Sequence, residues 1–342
     1  MICLLLLSAA SCRGEYGKSD PTPTPEPTAT PEPTATPEPT PTPDPYSAGL
    51  PEGVSELARK YAVKAAKLML PIIKYVRENP LPLKAECGPF VPRDLRSKLG
   101  PEPAALYDDM LTHAEAFEDF TYTGDPRVME EALPAFLVDH PEIEVYFDMV
   151  RAEQNDEEWH SVYFLPMGRY FKPAENRDEV REQAEVFTVV AEHIASLLPQ
   201  DFSAADKYRC LAAFICENTS YAHVHGELPP YARTAYGAIV NGGSICQGYA
   251  LGFEALCRAA NIDCRRCTNG FDDDNLHYWD EVALDGETYY IDVTWSDHMA
   301  QGYKNDPMWF DYFLFIPYGA TTHIANDGST PTGKPIDKSG WK

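Results

Sequence analysis

Apolar residues recur at helical spacing in several segments of the chain. In the first of these, Leu57, Tyr61, Ala65 and Leu68 follow one another at intervals of three to four residues, which predicts an amphipathic helix. Pro71 predicts a kink in it. The predicted helices cover residues 54–79, 104–117, 127–139, 175–198, 204–218 and 245–260.

Other segments alternate apolar and polar residues or are rich in β-branched and aromatic side chains. "IEVYFDMV" and "HSVYFLPM" suit a pair of strands in the first half of the globular part. After the last predicted helix come "CRRCTNGF", "LHYWDEVAL" and "ETYYIDVTW", and "WFDYFLFIP" is a candidate fourth strand. Helices followed by antiparallel strands indicate an α+β fold, with a mainly helical α+β region on the N-terminal side.

The first fifty residues differ in hydropathy from the rest of the chain and divide into two segments. "MICLLLLSAASC" is apolar but too short to span a bilayer, which is typical of an export signal. The following segment, rich in Pro, Thr and Glu, cannot form a core. As polyproline II, its 25 residues 21–45 would form a spacer of up to roughly 80 Å. The predicted divisions are signal 1–12, linker 13–50, N-terminal α+β region 51–200 and C-terminal domain 201–342.

Composition and charge limit the possible partners. Hydrophobic residues make up 44% of the chain, which is enough for a globular core. Lys and Arg number 28 against 53 Asp and Glu, a formal net charge of -25. Because this charge repels phosphates, we expect no nucleic-acid partner. The acidity is interpreted mainly as a solvated surface.

A tight turn fixes the register of one predicted hairpin. Asp285 and Gly286 are typical of a two-residue turn, so Leu284 should pair with Glu287. In that register His277 and Asp292 become diagonal neighbours on one face of the sheet, within side-chain reach. The opposite face is the better candidate for the core, which would leave the histidine and aspartate face free for a site. It carries Val282, Leu284, Tyr289, Ile291 and Val293.

A histidine oriented by an aspartate is a general base that lacks only a nucleophile. Cys246 is the candidate nucleophile, in "GGSICQGYA". Ser244 and Gln247 have the spacing of a capping box, which would place Cys246 at the second helical position. There the free backbone N–H groups and the helix dipole favour a thiolate and offer donors to an oxyanion.

The segments "SICQGYA", "NLHYWDEV" and "YYIDVTWSD" resemble the signature segments of the bacterial transglutaminase-like superfamily. The resemblance covers about residues 204–317. It implies a papain-like core, in which a helix bearing the cysteine packs on an antiparallel sheet bearing the histidine and aspartate. It also implies that Cys246 is the nucleophile, His277 the general base and Asp292 the orienting carboxylate. The chain departs from many members at Ser244, where they have glycine, and at Tyr278 and Asp280.

The resemblance implies a cysteine acyltransferase or a protease or amidase. Its substrates would be peptide or isopeptide amides, attacked through an acyl-enzyme thioester, with no cofactor. The alternative is a non-catalytic module of the same fold that binds peptide or cell-wall ligands. A complete set of cysteine, histidine and aspartate favours the enzyme.

The first residues also carry a resemblance. "AASC" is similar to the lipobox of bacterial lipoproteins, in which the cysteine is diacylated and becomes the new N-terminus. The resemblance implies lipidation of Cys12 and attachment of an extracytoplasmic domain to the membrane through the lipid anchor alone. Plain secretion is the alternative.

Six further cysteines permit other chemistry: Cys87, Cys210, Cys216, Cys257, Cys264 and Cys267. "CRRC" has metal-ligand spacing and could form a zinc site with Cys257 or with His223 and His225. In a strand, however, Cys264 and Cys267 would face opposite sides, so no metal site is predicted. Disulfides are permitted in an exported chain but not established by an even count.

Overall fold

The computed structural model describes the chain from residue 44 onward, with gaps. The described residues are 44–118, 120–140, 147–155, 158–166, 177–222, 228–229, 231–269, 276–302, 311, 313–317, 319, 323, 325 and 329–338. By its contacts the chain divides into residues 1–42 and 43–342. The predicted signal, Cys12 and most of the predicted linker therefore lie outside the described residues.

All but the last of the described helices lie close to the segments that the hydropathy pattern predicts. The helices are α1 (Glu56–Glu78), α2 (Pro101–Ala116), α3 (Pro126–Asp139), α4 (Arg177–Leu197), α5 (Ala204–Asn218), α6 (Cys246–Ala259) and α7 (Val293–Gly302). Side-chain caps explain two of the starts. Ser55 Oγ accepts the Ala58 N–H at the start of α1, and Ser203 Oγ accepts the Asp206 N–H at the start of α5.

The strands are β1 (Phe120–Tyr122), β2 (Phe147–Asn155), β3 (Glu158–Pro166), β4 (Ser220–Tyr221), β5 (Gly243–Ser244), β6 (Arg265–Thr268), β7 (Tyr278–Leu284) and β8 (Glu287–Ile291). They form an antiparallel sheet of order β1-β3-β2, a short parallel pair β4-β5, and an antiparallel sheet of order β6-β7-β8. A turn of π-helix, Gly237–Asn241, precedes β5. The candidate fourth strand contributes a single bridge among its described residues, between Ile316 and Tyr290.

The main core lies between helices and the β6-β7-β8 sheet. One apolar face each of α1, α4, α5 and α6 contributes to it, together with one face of β7 and β8. Helices α2 and α3 pack with β1 around a separate cluster centred on Phe136. The main core takes residues from both sides of the predicted boundary at 200, and the position of that boundary stays a prediction.

Residues predicted as the end of a strand are helical. The run "ETYYIDVTW" was expected to stay extended to Trp295, but β8 ends at Ile291 and α7 begins at Val293. Asp292 stops the strand because its Oδ1 accepts the backbone N–H of Trp295 at 2.9 Å, as an N-cap does. The β-branched residues Val293 and Thr294 therefore begin a helix, against their usual preference for strands.

Among the helices that the structure describes, none has the length and apolar character needed to cross a bilayer.

Candidate functional site: Cys246, His277 and Asp292

Cys246 is the first residue of α6, not the second. Ile245 is the N-cap and offers no side-chain hydrogen bond, so the predicted capping box is wrong. Ser244 instead belongs to β5, where its buried hydroxyl donates to the Ala232 carbonyl at 2.7 Å. The helix start still presents backbone N–H groups that have no intrahelical acceptors beside the Cys246 side chain, as the first turn of any helix does.

Close packing fixes this helix start. A Cβ on Gly248 would lie 2.0 Å from Ser244 Oγ and under 3 Å from the carbonyl oxygens of Ala232 and Thr234. Only glycine fits there, so α6 approaches the preceding segment more closely than any other residue allows. The Ile245 N–H also donates to the Ala232 carbonyl, at 2.9 Å. The nucleophile candidate is therefore held by backbone contacts on both sides of it.

The hairpin has the predicted register. Leu284 pairs with Glu287 and Asp280 with Ile291, around a turn in which Asp285 and Gly286 both have positive φ, 52° and 82°. Two positive φ values are typical of a type I′ turn, and the two-residue turn that the sequence predicts is confirmed. The register brings residue 277, just before β7, beside residue 292, just after β8.

The prediction that one face of this hairpin stays free is wrong. The predicted core face is confirmed: Val282, Leu284, Tyr289, Ile291 and Val293 are all buried in the main core. The part of the other face that lies next to the site is buried too, under a smaller apolar cluster formed by Cys267, Trp279, Tyr290, Phe313, Ile316 and Ala325. The residues after α7 return over this face and leave Asp292 fully buried.

His277 contacts the other two residues of the predicted set. Its Nε2 lies 2.6 Å from Asp292 Oδ2, and its ring also hydrogen-bonds with the Cys246 side chain. Because Nε2 faces the carboxylate, Nδ1 is the nitrogen left for the sulfur. The His277 backbone N–H donates to Asn269 Oδ1 at 2.8 Å, and its ring stacks on Trp295 with centroids 5.3 Å apart. These contacts fix both the position and the plane of the imidazole.

Asp292 is held by hydrogen bonds through both its backbone and its carboxylate. Its backbone N–H donates to the Phe313 carbonyl at 3.0 Å, and its Oδ1 caps α7. Its Oδ2 accepts from His277 and also from His323, whose Nε2 lies 2.8 Å away. A carboxylate without access to water needs such donors to remain ionised.

The electrostatics favour a charged pair. Burial works to lower the pKa of His277, but hydrogen bonds and charge at Asp292 and Cys246 outweigh it and raise the pKa to about 9. Burial works to raise the pKa of Asp292, but hydrogen bonds from His277 and His323 outweigh it and the pKa is lowered. At neutral pH the imidazole is therefore cationic and the carboxylate anionic. Stacking on Trp295 favours the cation further.

Two neighbours of this site are absent from the sequence predictions. Tyr221, in β4, accepts the Cys246 backbone N–H at its hydroxyl and hydrogen-bonds with the Cys246 side chain. Burial is the main reason that the pKa of Tyr221 is raised. His323 lies in the segment after α7 and has no sequence signal, since Asp292, to which it hydrogen-bonds, is 31 residues away along the chain.

The predicted alternatives for the other cysteines can be compared with the structure. Among the described residues all seven cysteines are free thiols. Cys264 and Cys267 belong to the two clusters on opposite sides of the sheet, as expected. His223 and His225 lie outside the described residues. Within the described part of the chain, the group that could hold a metal is His277, Asp292 and His323.

Asp280 occupies a position at which the chain departs from many members of the resembled superfamily. It is fully buried in β7, and its Oδ2 has no hydrogen-bond partner. Burial, followed by the negative charge of Glu254, raises its pKa well above the usual range. Burial at this position therefore favours the neutral form of the carboxyl over a second negative charge beside Asp292.

The fold and the site define an α+β protein in which a helix bearing a cysteine packs on an antiparallel sheet, with the histidine and aspartate at the ends of two paired strands. Residues 190–293 match the model of the transglutaminase-like superfamily. This part of the chain is a transglutaminase-like domain, and the resemblance of its signature segments is confirmed. Cys246, His277 and Asp292 fall inside the match, whereas His323 lies beyond it.

A solved structure with similarity to the chain is "The Crystal Structure of a Putative Cysteine Protease from Cytophaga hutchinsonii to 1.9A". The sequence identity is 21% and the TM-score is 0.26; the match covers 31% of this chain and 37% of that one. The chain thus matches little more than a third of the length of that protein. No curated protein matches the chain.

Proposed function

We propose that the chain is an extracytoplasmic, surface-tethered cysteine enzyme that acts on peptide or isopeptide amide bonds through an acyl-enzyme thioester. The observation that carries the proposal is a series of two hydrogen bonds that connects Asp292 through His277 to Cys246 at the start of α6. Asp292 hydrogen-bonds to His277 at 2.6 Å, and His277 hydrogen-bonds to the thiol of Cys246. This is the arrangement of a nucleophile, its base and an orienting carboxylate.

In the first half-reaction the Cys246 thiolate attacks the amide carbonyl carbon, and the carbonyl electron pair moves to oxygen. The N–H groups at the start of α6 and the Tyr221 hydroxyl lie beside the sulfur and would stabilise this oxyanion. The tetrahedral intermediate collapses, the C–N bond breaks, and His277 gives its proton to the departing amine. The product is a thioester on Cys246.

In the second half-reaction His277, now neutral, takes a proton from the acceptor as it attacks the thioester. A water acceptor gives a carboxylic acid, and a primary amine acceptor gives a new amide. Cys246 leaves as thiolate and His277 is again cationic. Asp292 is not protonated in this cycle; it orients the imidazole and stabilises its positive charge.

The first prediction is that iodoacetamide alkylates Cys246 faster than the other described cysteines, because its side chain lies against the His277 ring at a helix start. The comparison is made at pH 6, where an ordinary thiol is less than about 1% ionised and reacts slowly. Peptide mass mapping at several pH values measures the rate for each cysteine. Cys87 is the internal control, since it has intermediate exposure like Cys246, and burial raises its pKa.

The matched variant is His277→Ala, which removes the cation beside the sulfur and should slow the alkylation of Cys246 to the rate of Cys87. Equal alkylation of Cys246 and Cys87 at pH 6 in the unmodified chain would mean that there is no activated nucleophile. That result would favour the alternative hypothesis, a non-catalytic binding module, because binding requires the fold but no thiolate.

Mass spectrometry of the intact chain distinguishes the two kinds of enzyme. Incubation with candidate peptide amides should add an acyl group to Cys246, and Cys246→Ala should prevent the addition. Including a primary amine should yield an amide product if the chain is a transferase, and only free acid if it is a hydrolase.

The tether is a second testable part of the proposal. The lipobox-like "AASC" and the proline-rich spacer support a lipid anchor at Cys12, since diacylation provides stable membrane attachment. We expect the chain to enter the detergent phase when membranes of a lipoprotein-processing bacterium are partitioned in Triton X-114. The Cys12→Ser variant should move to the aqueous phase. If neither the unmodified chain nor the Cys12→Ser variant enters the detergent phase, plain secretion is favoured.

A further inference from the structure

His323 lies directly against the carboxylate of the proposed triad. Its Nε2 is 2.8 Å from the same Asp292 oxygen that His277 contacts, and neither His323 nor Asp292 has any exposed side-chain surface. Aromatic rings surround the imidazole of His323: Trp295 and Trp279 contact it edge to face, at centroid distances of 4.8 Å and 4.9 Å. Such a closely packed ring has little freedom to turn away from the carboxylate.

The same three residues have the composition of a metal site, so that alternative has to be compared. Their ligand atoms lie within 4.8 Å of one another. The Asp292 oxygen, however, lies 2.6 Å and 2.8 Å from the two imidazole nitrogens, close to the range of charge-assisted hydrogen bonds. Ligands of a tetrahedral zinc ion at about 2.0 Å would be roughly 3.3 Å apart. The geometry therefore favours two N–H donors on one oxygen.

The second donor has a clear role in the cycle. When His277 delivers its proton to the leaving amine, it becomes neutral and Asp292 loses its charged partner. A fully buried carboxylate that loses such a partner tends to take up a proton or change its orientation. The hydrogen bond from His323 does not depend on the charge of His277, so it persists through this step.

We propose that His323 is a positioning residue of this site, whose Nε2–H holds the Asp292 carboxylate in place and in its ionised form. The catalytic role in this inference rests on the proposed function, whereas the hydrogen bond between His323 and Asp292 is independent of it. Other titratable groups also act on this cluster and belong in any account of its pH dependence: Cys216, Tyr221, Cys246 and Asp280.

The test compares His323→Phe, which removes the donor, with His323→Gln, whose amide N–H can replace it. The readout is the rate of Cys246 alkylation as a function of pH. The acid limb of this profile is the pH range over which the rate falls on acidification. In His323→Phe the acid limb should move up by about one pH unit or more, because Asp292 then takes up a proton more easily. In His323→Gln the limb should move by less than half of that. The alkylation of Cys87 and the thermal midpoint report whether each variant is folded.

Several outcomes would overturn the inference. They are an unchanged acid limb in a folded Phe variant, a Gln variant that shifts as far as the Phe variant, and one equivalent of zinc in the purified chain. Should the Phe variant not fold, nitrogen NMR of the unmodified protein decides the question. His323 is expected to carry its proton on Nε2, and an Nδ1–H form would contradict the proposal.

Failure of this inference is distinguishable from failure of the proposed function. Alkylation needs no substrate, so a shifted acid limb would support His323 even if no amide were ever cleaved. Conversely, acyl-enzyme formation with an unchanged His323→Phe profile would leave the enzyme in place and remove only the positioning role.

Discussion

At the scale of single residues, one carboxylate connects the fold to the chemistry. Asp292 ends β8, caps α7 and accepts two imidazole donors. These roles use different atoms, since Oδ1 serves the helix and Oδ2 serves the histidines. Replacing Asp292 would therefore disturb both the helix start and the site, so variants of its neighbours give clearer evidence on mechanism.

Tyr221 allows such a clear test. Its hydroxyl contacts both the backbone N–H and the side chain of Cys246, beside the place where an oxyanion would form. We expect Tyr221→Phe to slow acyl-enzyme formation from an amide by about 100-fold, the usual effect of losing one oxyanion donor. Alkylation of Cys246 by iodoacetamide forms no oxyanion and should change by less than about threefold.

The control for this variant is Tyr75→Phe, which removes a hydroxyl from an exposed tyrosine of α1. It should leave both rates unchanged. A parallel loss of both rates in Tyr221→Phe would assign Tyr221 to holding the sulfur in place, and equal rates in all three proteins would exclude it from the oxyanion site.

At the scale of elements, the sequence predicted the hairpin and the helices whose geometry depends on short-range contacts. The Asp285-Gly286 turn determines the register of the hairpin, and the register alone brings His277 to Asp292. Helical periodicity likewise predicted α1 and α5 to within a few residues of their observed ends. In each case the determining contacts lie within a few residues of one another along the chain.

The elements that sequence reasoning missed depend on distant contacts. Ser244 is not a helix cap because the Ala232 carbonyl, 12 residues earlier, takes its hydroxyl proton. The outer face of the hairpin is not free because residues after α7 return to cover it. His323 belongs to that returning segment, so no spacing rule could have associated it with Asp292.

At the scale of the whole molecule, the buried thiols make stability depend on pH. Cys210, Cys257, Cys264 and Cys267 are all buried. Burial raises the pKa of each of them, for Cys210 and Cys267 to about 12. The folded chain therefore keeps these protons at a pH where the unfolded chain, with thiols near their ordinary pKa of about 8.5, has lost them.

The final prediction is a loss of stability in two stages as pH rises. His277 has a pKa raised from 6.5 to about 9, so the stability it contributes is complete below pH 6.5 and lost between there and 9. The thiols contribute stability that is complete below about 8.5 and falls above it, by up to about 1.4 kcal/mol per pH unit for each group. Urea unfolding under reducing conditions from pH 6 to 10.5 measures both stages.

The variant Cys210→Ala separates this effect from simple packing. Removing the buried thiol should lower the free energy of unfolding at pH 7. Above pH 9, however, the free energy of unfolding should fall less steeply with pH than in the unmodified chain, by about the slope that one thiol contributes. Val190→Ala, which truncates a buried side chain without a titratable group, should lower stability equally at every pH. If the curves of Cys210→Ala and the unmodified chain stay parallel up to pH 10.5, the buried thiols do not cause the alkaline loss, and ionisation of the tyrosines would have to explain it instead.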